Sequence, residues 1–142
     1  MFDSLIHRRR GTAIVETKKG ILITAGKRKV FLIPGGGASR RESRMQAAIR
    51  ELKEETGLEP YFAMALFRFE GPTHSFKHIK DLHTVYYIKA KGEAQAKQEI
   101  QYIDFYTSEK DILLSESTKK ILEQYYEYKK KNKKLFQELE KF

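Results

Sequence analysis

Short blocks of hydrophobic residues, separated by polar turns, fill the first quarter of the chain. The blocks at 11–17 and 20–25 predict two strands joined by a hairpin turn, and the block at 30–33 predicts a third strand. Pro34 and the three glycines after it end this strand, because proline lacks the amide donor that a sheet needs and glycine favours irregular backbone. The sequence therefore predicts a flexible loop, poor in side chains, directly after the third strand.

The next segment carries the pattern of an amphipathic helix over about 43–56. Starting at Met45, apolar residues recur at positions i, i+3, i+4 and i+7, which places them on one face of a helix. Ser43 and Gln46 match the S-x-x-Q capping box that begins many helices. Gly57 is a typical left-handed stop, so we expect the helix to end there.

The second half of the chain is predicted to hold further strands and a final helix over about 115–142. The predicted strands lie at 61–70, 82–90 and 100–106, with a polar loop between the first two. The order of strands, helix, strands and helix predicts a mixed α/β (α+β) fold, in which helices pack on a mixed sheet.

Length and composition restrict the class of protein. The chain has 142 residues, which suits one domain over 1–142. It has no cysteine, so disulfides, thiol nucleophiles and cysteine-ligated metal centres are excluded. No apolar run approaches the ~18–20 residues of a membrane span, and residues 1–10 lack the apolar core of a secretory signal. These features predict a cytoplasmic protein without a membrane partner.

The net charge of +9 is concentrated at the two ends of the chain. Arg8, Arg9 and Arg10 stand together near the start, and residues 129–142 hold six lysines against two glutamates. Such ends suit a phosphate-rich partner. The lysine-rich end is interpreted either as a solvated helix face or frayed tail, or as a weak contact with RNA or a polyphosphate, and the sequence leaves these open.

Three carboxylates share one face of the predicted helix. Glu51, Glu54 and Glu55 are spaced i, i+3, i+4, which puts them within an arc of about 100°. Like charges at this spacing repel, and a divalent cation with a preference for oxygen ligands would neutralise them. The alternative interpretation is an ordinary solvated acidic face.

The residues around these carboxylates follow a fixed pattern. It is similar to the Nudix box of the MutT/Nudix hydrolases, G-x5-E-x7-R-E-U-x-E-E-x-G-U, in which U is a bulky aliphatic residue. All nine specified positions match. They are Gly36, Glu42, Arg50, Glu51, Leu52, Glu54, Glu55, Gly57 and Leu58.

The resemblance implies an α/β/α sandwich with a mixed sheet, and a hydrolase that cleaves a nucleoside diphosphate linked to another group X with the help of Mg²⁺ or Mn²⁺. It implies that Glu54 and Glu55 are metal ligands and that Glu51 is a ligand or the base that activates water. Arg50 is expected to orient a glutamate, and the carbonyl of Gly35 to complete the metal shell.

Many members of this family add an acidic metal ligand late in the sheet. By position, Glu99 is the first candidate and Glu93 the second. Either residue could instead be an ordinary surface acid, and the sequence does not decide between these interpretations.

Candidate substrate-binding residues lie outside the box. Arg10 precedes the first predicted strand, Arg68 interrupts an apolar run, and Phe76 and Lys77 occupy the polar loop. Phe31 is either a core residue or a ring that stacks on a base, and the polar loop is either a phosphate-binding segment or a plain connection.

The leading functional hypothesis is a Mg²⁺-dependent pyrophosphohydrolase for a nucleotide-type substrate, with nucleoside triphosphates as candidates. Alternatives within the enzyme class are hydrolases of dinucleoside polyphosphates or diphosphoinositol polyphosphates, or of the RNA 5′ end. From a different class, the chain could be a non-catalytic module that binds a nucleotide or RNA. Homodimers are common in the family, but no specific interface is evident in the sequence.

Overall fold

A computed structural model describes residues 6–74 and 78–141. Within these ranges the strands are β1 (Ile6–Ile14), β2 (Glu16–Thr17), β3 (Gly20–Ala25), β4 (Gly35–Gly37), β5 (Glu59–His74), β6 (Ile79–Lys91) and β7 (Tyr102–Tyr106). The helices are α1 (Arg44–Thr56), α2 (Glu116–Lys131) and α3 (Lys133–Leu139). This mixture of strands and helices confirms the predicted fold class.

The strands form a mixed four-stranded sheet and a smaller antiparallel one. The larger sheet has the order β4-β1-β6-β5, and the smaller has the order β2-β3-β7. In the larger sheet β1 runs parallel to β6, and the other neighbours are antiparallel. The parallel pair places the arginine-rich start of β1 beside the start of β6, with Arg8 opposite Asp81 and Arg10 opposite His83.

Helices cover both faces of the larger sheet. Successive residues of a strand point to opposite sides, so neighbouring residues of β1 contact different helices. Ile14 of β1 belongs to the core that Ile121 of α2 helps to fill. Its neighbour Ala13 belongs to a second core with Ala48 and Leu52 of α1. The result is the α/β/α layering that the sequence resemblance implies. Among the described residues, none of the helices combines the length and apolar character that a membrane crossing requires.

Helix α1 begins and ends as its sequence predicts. The Ser43 side chain accepts a hydrogen bond from the Gln46 amide at 3.0 Å, and the Gln46 side chain accepts one from the Ser43 amide at 2.8 Å. Gly57 ends the helix in the left-handed conformation, with φ of 74°. Both ends of the helix that carries the candidate carboxylates are therefore fixed by local hydrogen bonds and backbone geometry.

The glycine-rich segment and the start of β1 differ from the predictions. Gly35–Gly37 is a strand paired with residues 10–12 of β1, and not a flexible loop. Residues 31 and 32 form only isolated bridges, so the predicted third strand is wrong. The chain before Gly11 is also extended, so Arg8, Arg9 and Arg10 are strand residues. Partner strands that are remote in sequence supply these pairings, and local patterns do not report them.

The hairpin strands β5 and β6 are longer than predicted, β7 is slightly shorter, and the final helix is divided. β5 and β6 extend into the segment predicted to be a loop, which leaves residues 75–78 between them. The final helix is interrupted at Asn132, which separates α2 from α3. Strand pairing across the hairpin can hold polar residues in extended backbone, and this overrides their weak local preference for strand structure.

Candidate active site

Arg50 is the centre of the polar contacts on α1. Its Nε and Nη2 donate to the two carboxylate oxygens of Glu42 at 2.7 and 3.0 Å. Its Nη1 donates to Glu51 at 2.8 Å and to Glu54 at 3.3 Å, and Nη2 also donates to the carbonyl of Gly37 at 3.2 Å. One guanidinium thus ties two of the candidate carboxylates to the loop before the helix, since its planar fork offers several fixed donors.

Glu42 anchors Arg50 from the loop that precedes α1. Its carboxylate also accepts a hydrogen bond from the Ser39 amide at 3.0 Å, and its backbone carbonyl accepts one from Arg9 at 3.1 Å. The hydrogen bonds from Arg50 and Ser39 lower the pKa of Glu42 to about 2. Glu42 therefore remains charged across the range in which most enzymes work, and it holds Arg50 through two hydrogen bonds.

Glu55 is the buried member of the acidic face, with 7% of its surface exposed. Burial raises its pKa well above the ordinary value of 4.5, and a hydrogen bond with Glu51 together with the charges of Glu51 and Glu99 raises it further. A hydrogen bond with the Gly35 backbone acts in the opposite direction. Two carboxyl groups in hydrogen-bond contact need either a shared proton or a cation, because two bare carboxylates repel.

Gly36 provides the space that the Glu51 carboxylate occupies. A Cβ atom added to Gly36 would lie 2.6 Å from Cδ of Glu51, closer than such atoms approach in real structures. The strand of three glycines therefore lets α1 bring its carboxylates directly against the backbone of β4. This contact explains why the segment is free of side chains even though it is not a flexible loop.

Gly36→Ala is expected to leave the fold in place and to impair the carboxylate cluster. The nearest atoms to the added methyl group belong to the Glu51 side chain and not to the backbone, so the strain can be relieved if this side chain moves and gives up its contacts with Arg50 and Glu55. We expect a melting temperature close to that of the wild type and a loss of hydrolysis of about 10²-fold, the scale for disturbing groups around a metal site. Thermal unfolding and steady-state kinetics on the same sample check this. A clearly lower melting temperature alongside the loss of hydrolysis would contradict the prediction, because the variant would then have lost its fold and not only its carboxylate arrangement.

The donor chemistry of this cluster fits a hard divalent cation. It consists of carboxylate and backbone oxygens, with Glu51 and Glu55 already in contact. Within the described ranges, no three acidic or histidine side chains form a closed group around an ion. Glu54 is directed to Arg50, and its side chain is 40% exposed, so it is free to turn towards the other two.

Glu99 and Glu93, the two candidates for a late acidic ligand, lie in different surroundings. The charge of Glu99 is close enough to Glu55 to raise its pKa. Glu93 instead lines a surface pocket with Lys18 and Phe105. The structure therefore brings Glu99, and not Glu93, towards the acidic face of α1.

Arg10 connects the acidic face to a polar cluster on the parallel strands. Its side chain is partly buried, and burial lowers its pKa while the charges of Asp81, Glu51 and Glu55 oppose this effect. Arg10 makes no side-chain hydrogen bond with any residue in the described part of the chain. A cation that is close to the carboxylates but not fixed by them is well placed to receive a phosphate.

The cluster beside Arg10 comes from the pairing of β1 with β6. Arg8 donates to both carboxylate oxygens of Asp81 at 2.6 and 3.1 Å. His83 lies 2.9 Å from the Thr12 hydroxyl, and burial together with the nearby Arg10 charge lowers its pKa to about 4. His83 is therefore neutral at pH 7. Sequence reasoning missed Asp81 and His83, because only the register of two distant strands brings them to Arg10.

The remaining candidates from the sequence are distributed differently. Phe31 is 5% exposed and lies in the hydrophobic core, so the core interpretation holds and the stacking role is corrected. Arg68 lines a groove with Arg9 and Arg44. Phe76 and Lys77 lie outside the described residues.

Comparisons with known proteins agree with this geometry. A family model described as the NUDIX domain matches residues 5–127. A nudix hydrolase family member from Chromobacterium violaceum is 35% identical with a TM-score of 0.78, over 90% of this chain and 81% of that one. No curated protein sequence matches the chain.

More distant structures share the fold. A MutT NUDIX hydrolase from Burkholderia pseudomallei is 22% identical with a TM-score of 0.74, over 83% of this chain and 97% of that one. An ADP-ribose pyrophosphatase from Streptococcus suis is 18% identical with a TM-score of 0.62, over 78% of this chain and 81% of that one. At such identities the similarity shows a common fold alone.

Proposed function

The chain belongs to the Nudix hydrolase family, and on that premise we propose that it is a divalent-metal-dependent pyrophosphohydrolase for a nucleoside diphosphate linked to a second group X. Nucleoside triphosphates are the first substrates to test. The observation that carries the proposal is the contact between the Glu51 and Glu55 carboxyl groups beside the glycine strand, with Glu54 on the same face of α1.

The residues that would hold the cation are the three helix glutamates, the Gly35 carbonyl and Glu99. Different observations support these residues as ligands. Glu51 and Glu55 are in contact with each other, and Glu99 is near Glu55. Glu54 is exposed enough for its side chain to turn towards them. When bound, a divalent cation neutralises charge on the pyrophosphate oxygens, which otherwise repels an attacking water.

The protein's own residues supply orientation and a proton acceptor. Arg50 fixes the Glu51 carboxylate from one side at 2.8 Å, and the Gly36 backbone supports it from another. In the proposed reaction, a bond forms between the water oxygen and phosphorus, the phosphorus–oxygen bond of the anhydride breaks, and the departing phosphate takes the bonding electrons. A carboxylate of the cluster, with Glu51 as the first candidate, accepts the proton from water.

Arg10 is proposed to bind a phosphate of the substrate, and Arg10→Gln is expected to raise KM by about 10- to 100-fold. This is the range that corresponds to losing one or two hydrogen bonds to a charged group. We expect kcat to fall less than KM rises, because Arg10 does not touch the proton acceptor. Arg28→Gln, which removes one exposed arginine elsewhere, should change neither constant. An unchanged KM in the Arg10 variant would refute the assignment.

A substrate screen tests the proposed function directly. Purified protein would be incubated with Mg²⁺ or Mn²⁺ and nucleoside triphosphates, nucleotide sugars, ADP-ribose or dinucleoside polyphosphates, and the released phosphates identified. Metal-dependent cleavage of an anhydride bond is the expected result. Absence of turnover over the whole panel would favour the non-catalytic module, and a strong preference for dinucleoside polyphosphates would favour that enzyme class.

A further inference from the structure

A second basic site lies on the α1 side of the larger sheet. We call it the arginine groove; it has a volume of about 510 Å³. Its polar lining consists of Arg9, Arg44, Arg68, Ser43, Thr84 and Tyr86, and its apolar lining of Ala65, Leu66 and Phe67. None of the described residues that line it is acidic.

The arginines of the groove have unused donors. The Nε of Arg44 is buried and has no hydrogen-bond partner in the described part of the chain. Within the same ranges, Arg68 makes no side-chain hydrogen bond or ion pair. Arg9 is held in place by the carbonyls of Glu42 and Ser39, at 3.1 and 2.9 Å. A buried donor without a partner is costly, and this cost is removed when an anion accepts its hydrogen bond.

Two of these cations act on the Tyr86 hydroxyl group, which lines the same groove. Burial raises the pKa of Tyr86, and a hydrogen bond with Thr84 together with the charges of Arg44 and Arg68 opposes that rise. Cations that line one groove with no acidic residue among them repel one another, and a polyvalent anion would relieve this repulsion. Arginine forks and hydroxyl donors together match the oxygens of a phosphate group.

The arginine groove is separate from the glutamate cluster. Between them, the backbone of Gly11 packs so closely on α1 that an added Cβ would overlap the Arg44 carbonyl and lie 2.8 Å from the Ala48 amide. At 1.5 Å per residue, Arg44 precedes Glu51 by about 10 Å along the helix axis. The contact at Gly11 leaves no room for a ligand to pass between strand and helix at that point.

We propose that the arginine groove is a second ligand site, which binds a phosphorylated small molecule without a metal ion. The three arginines and the neighbouring hydroxyls would hold the phosphate oxygens, and Ala65 and the Tyr86 ring would contact the organic part. The volume lies in the range of small-molecule sites, which is about 300–1,000 Å³. This site does not depend on hydrolysis at the glutamate cluster.

Binding of pyrophosphate and of AMP in the presence of EDTA tests this proposal. EDTA removes divalent cations, so binding at the proposed metal site and hydrolysis cannot produce the measured signal. AMP in addition has no anhydride bond that the enzyme could cleave. Amide NMR spectra of the full chain are expected to show saturable shifts at Ser43, Thr84 and Tyr86. Shifts confined to Arg10, Glu51 and Glu55, or no saturation with either probe, would overturn the proposal.

Two variants assign the site. Arg44→Gln and Arg68→Glu are each expected to raise Kd by about tenfold or more. Arg28→Gln and Lys120→Gln remove exposed cations elsewhere and should leave Kd unchanged. Because Arg68 is exposed, its variant should keep the wild-type melting temperature even if the Arg44 variant unfolds more easily. Equal Kd values in the Arg68 variant and the controls would overturn the proposal, as would binding of an RNA oligonucleotide alone.

Discussion

Glu55→Gln is expected to lower kcat/KM for metal-dependent hydrolysis by about three orders of magnitude, or ~4 kcal/mol of transition-state stabilisation. The amide has almost the same shape as the carboxyl group but cannot replace its charge beside Glu51. The loss should therefore appear in the activity and not in the fold. Steady-state kinetics at saturating Mg²⁺ measure it.

The same variant should lose activity but not stability, and at high pH in EDTA its stability should equal or exceed that of the wild type. Folding raises the pKa of Glu55, so the protonated form favours the fold, and wild-type stability in EDTA decreases as pH rises above the ordinary value of 4.5. Glutamine stays neutral at every pH. At pH 8 in EDTA we therefore expect the variant to be at least as stable as the wild type.

Glu123→Gln is the matched control for both measurements, because Glu123 is an exposed carboxylate on α2. It should retain full activity and the wild-type dependence of stability on pH. If Glu55→Gln hydrolysed the substrate at the wild-type rate, the proposed metal site would be wrong. If it unfolded in EDTA, Glu55 would instead have a structural role.

Gly11→Ala is expected to destabilise the protein by about 3 kcal/mol, at the upper end of the usual cost of overpacking. The new methyl group would overlap the Arg44 carbonyl and approach the Ala48 amide, and neither backbone group can move without displacing α1 from the sheet. For a domain of this size the melting temperature should fall by roughly 10 °C. Thermal or denaturant unfolding measures the change.

Gly37→Ala is the corresponding control, since the nearest atom that its Cβ would meet lies 3.9 Å away. Gly37 lies in β4, which pairs with β1, so a methyl group there is added to the same region of the sheet without a steric overlap. We expect its melting temperature to stay close to that of the wild type. Similar losses in the two variants would mean that the packing of β1 on α1 is not the cause.

Local sequence signals predicted the helix of the site better than its surroundings. The capping box and Gly57 specify α1 through hydrogen bonds within a few residues, and both ends were correct. β4 was not predicted, because glycines have no intrinsic preference for strands and this one exists only by pairing with β1. The extension of β1 through its arginines was missed for the same reason, since its partner β6 is distant in sequence.

The candidate chemistry shows a similar division. The spacing of the three helix glutamates indicated a shared face, and a structural contact between Glu51 and Glu55 supports that prediction. Asp81 and His83 had no comparable signal, because their relation to Arg10 depends on strand register. The roles of the site residues in metal binding and catalysis stay predictions that the kinetic experiments test.

The parallel pairing of β1 with β6 also sets the order in which the site can assemble during folding. Ile6 pairs with Ile79, so a long loop must close before β1 is held on that side, and loop closure of this kind slows folding. Helix α1 can form early from local contacts, but the strand against which its carboxylates rest is held by β1. A fragment ending after Leu58 would contain the full box motif, yet it would lack β6, the strand that holds β1 in the sheet.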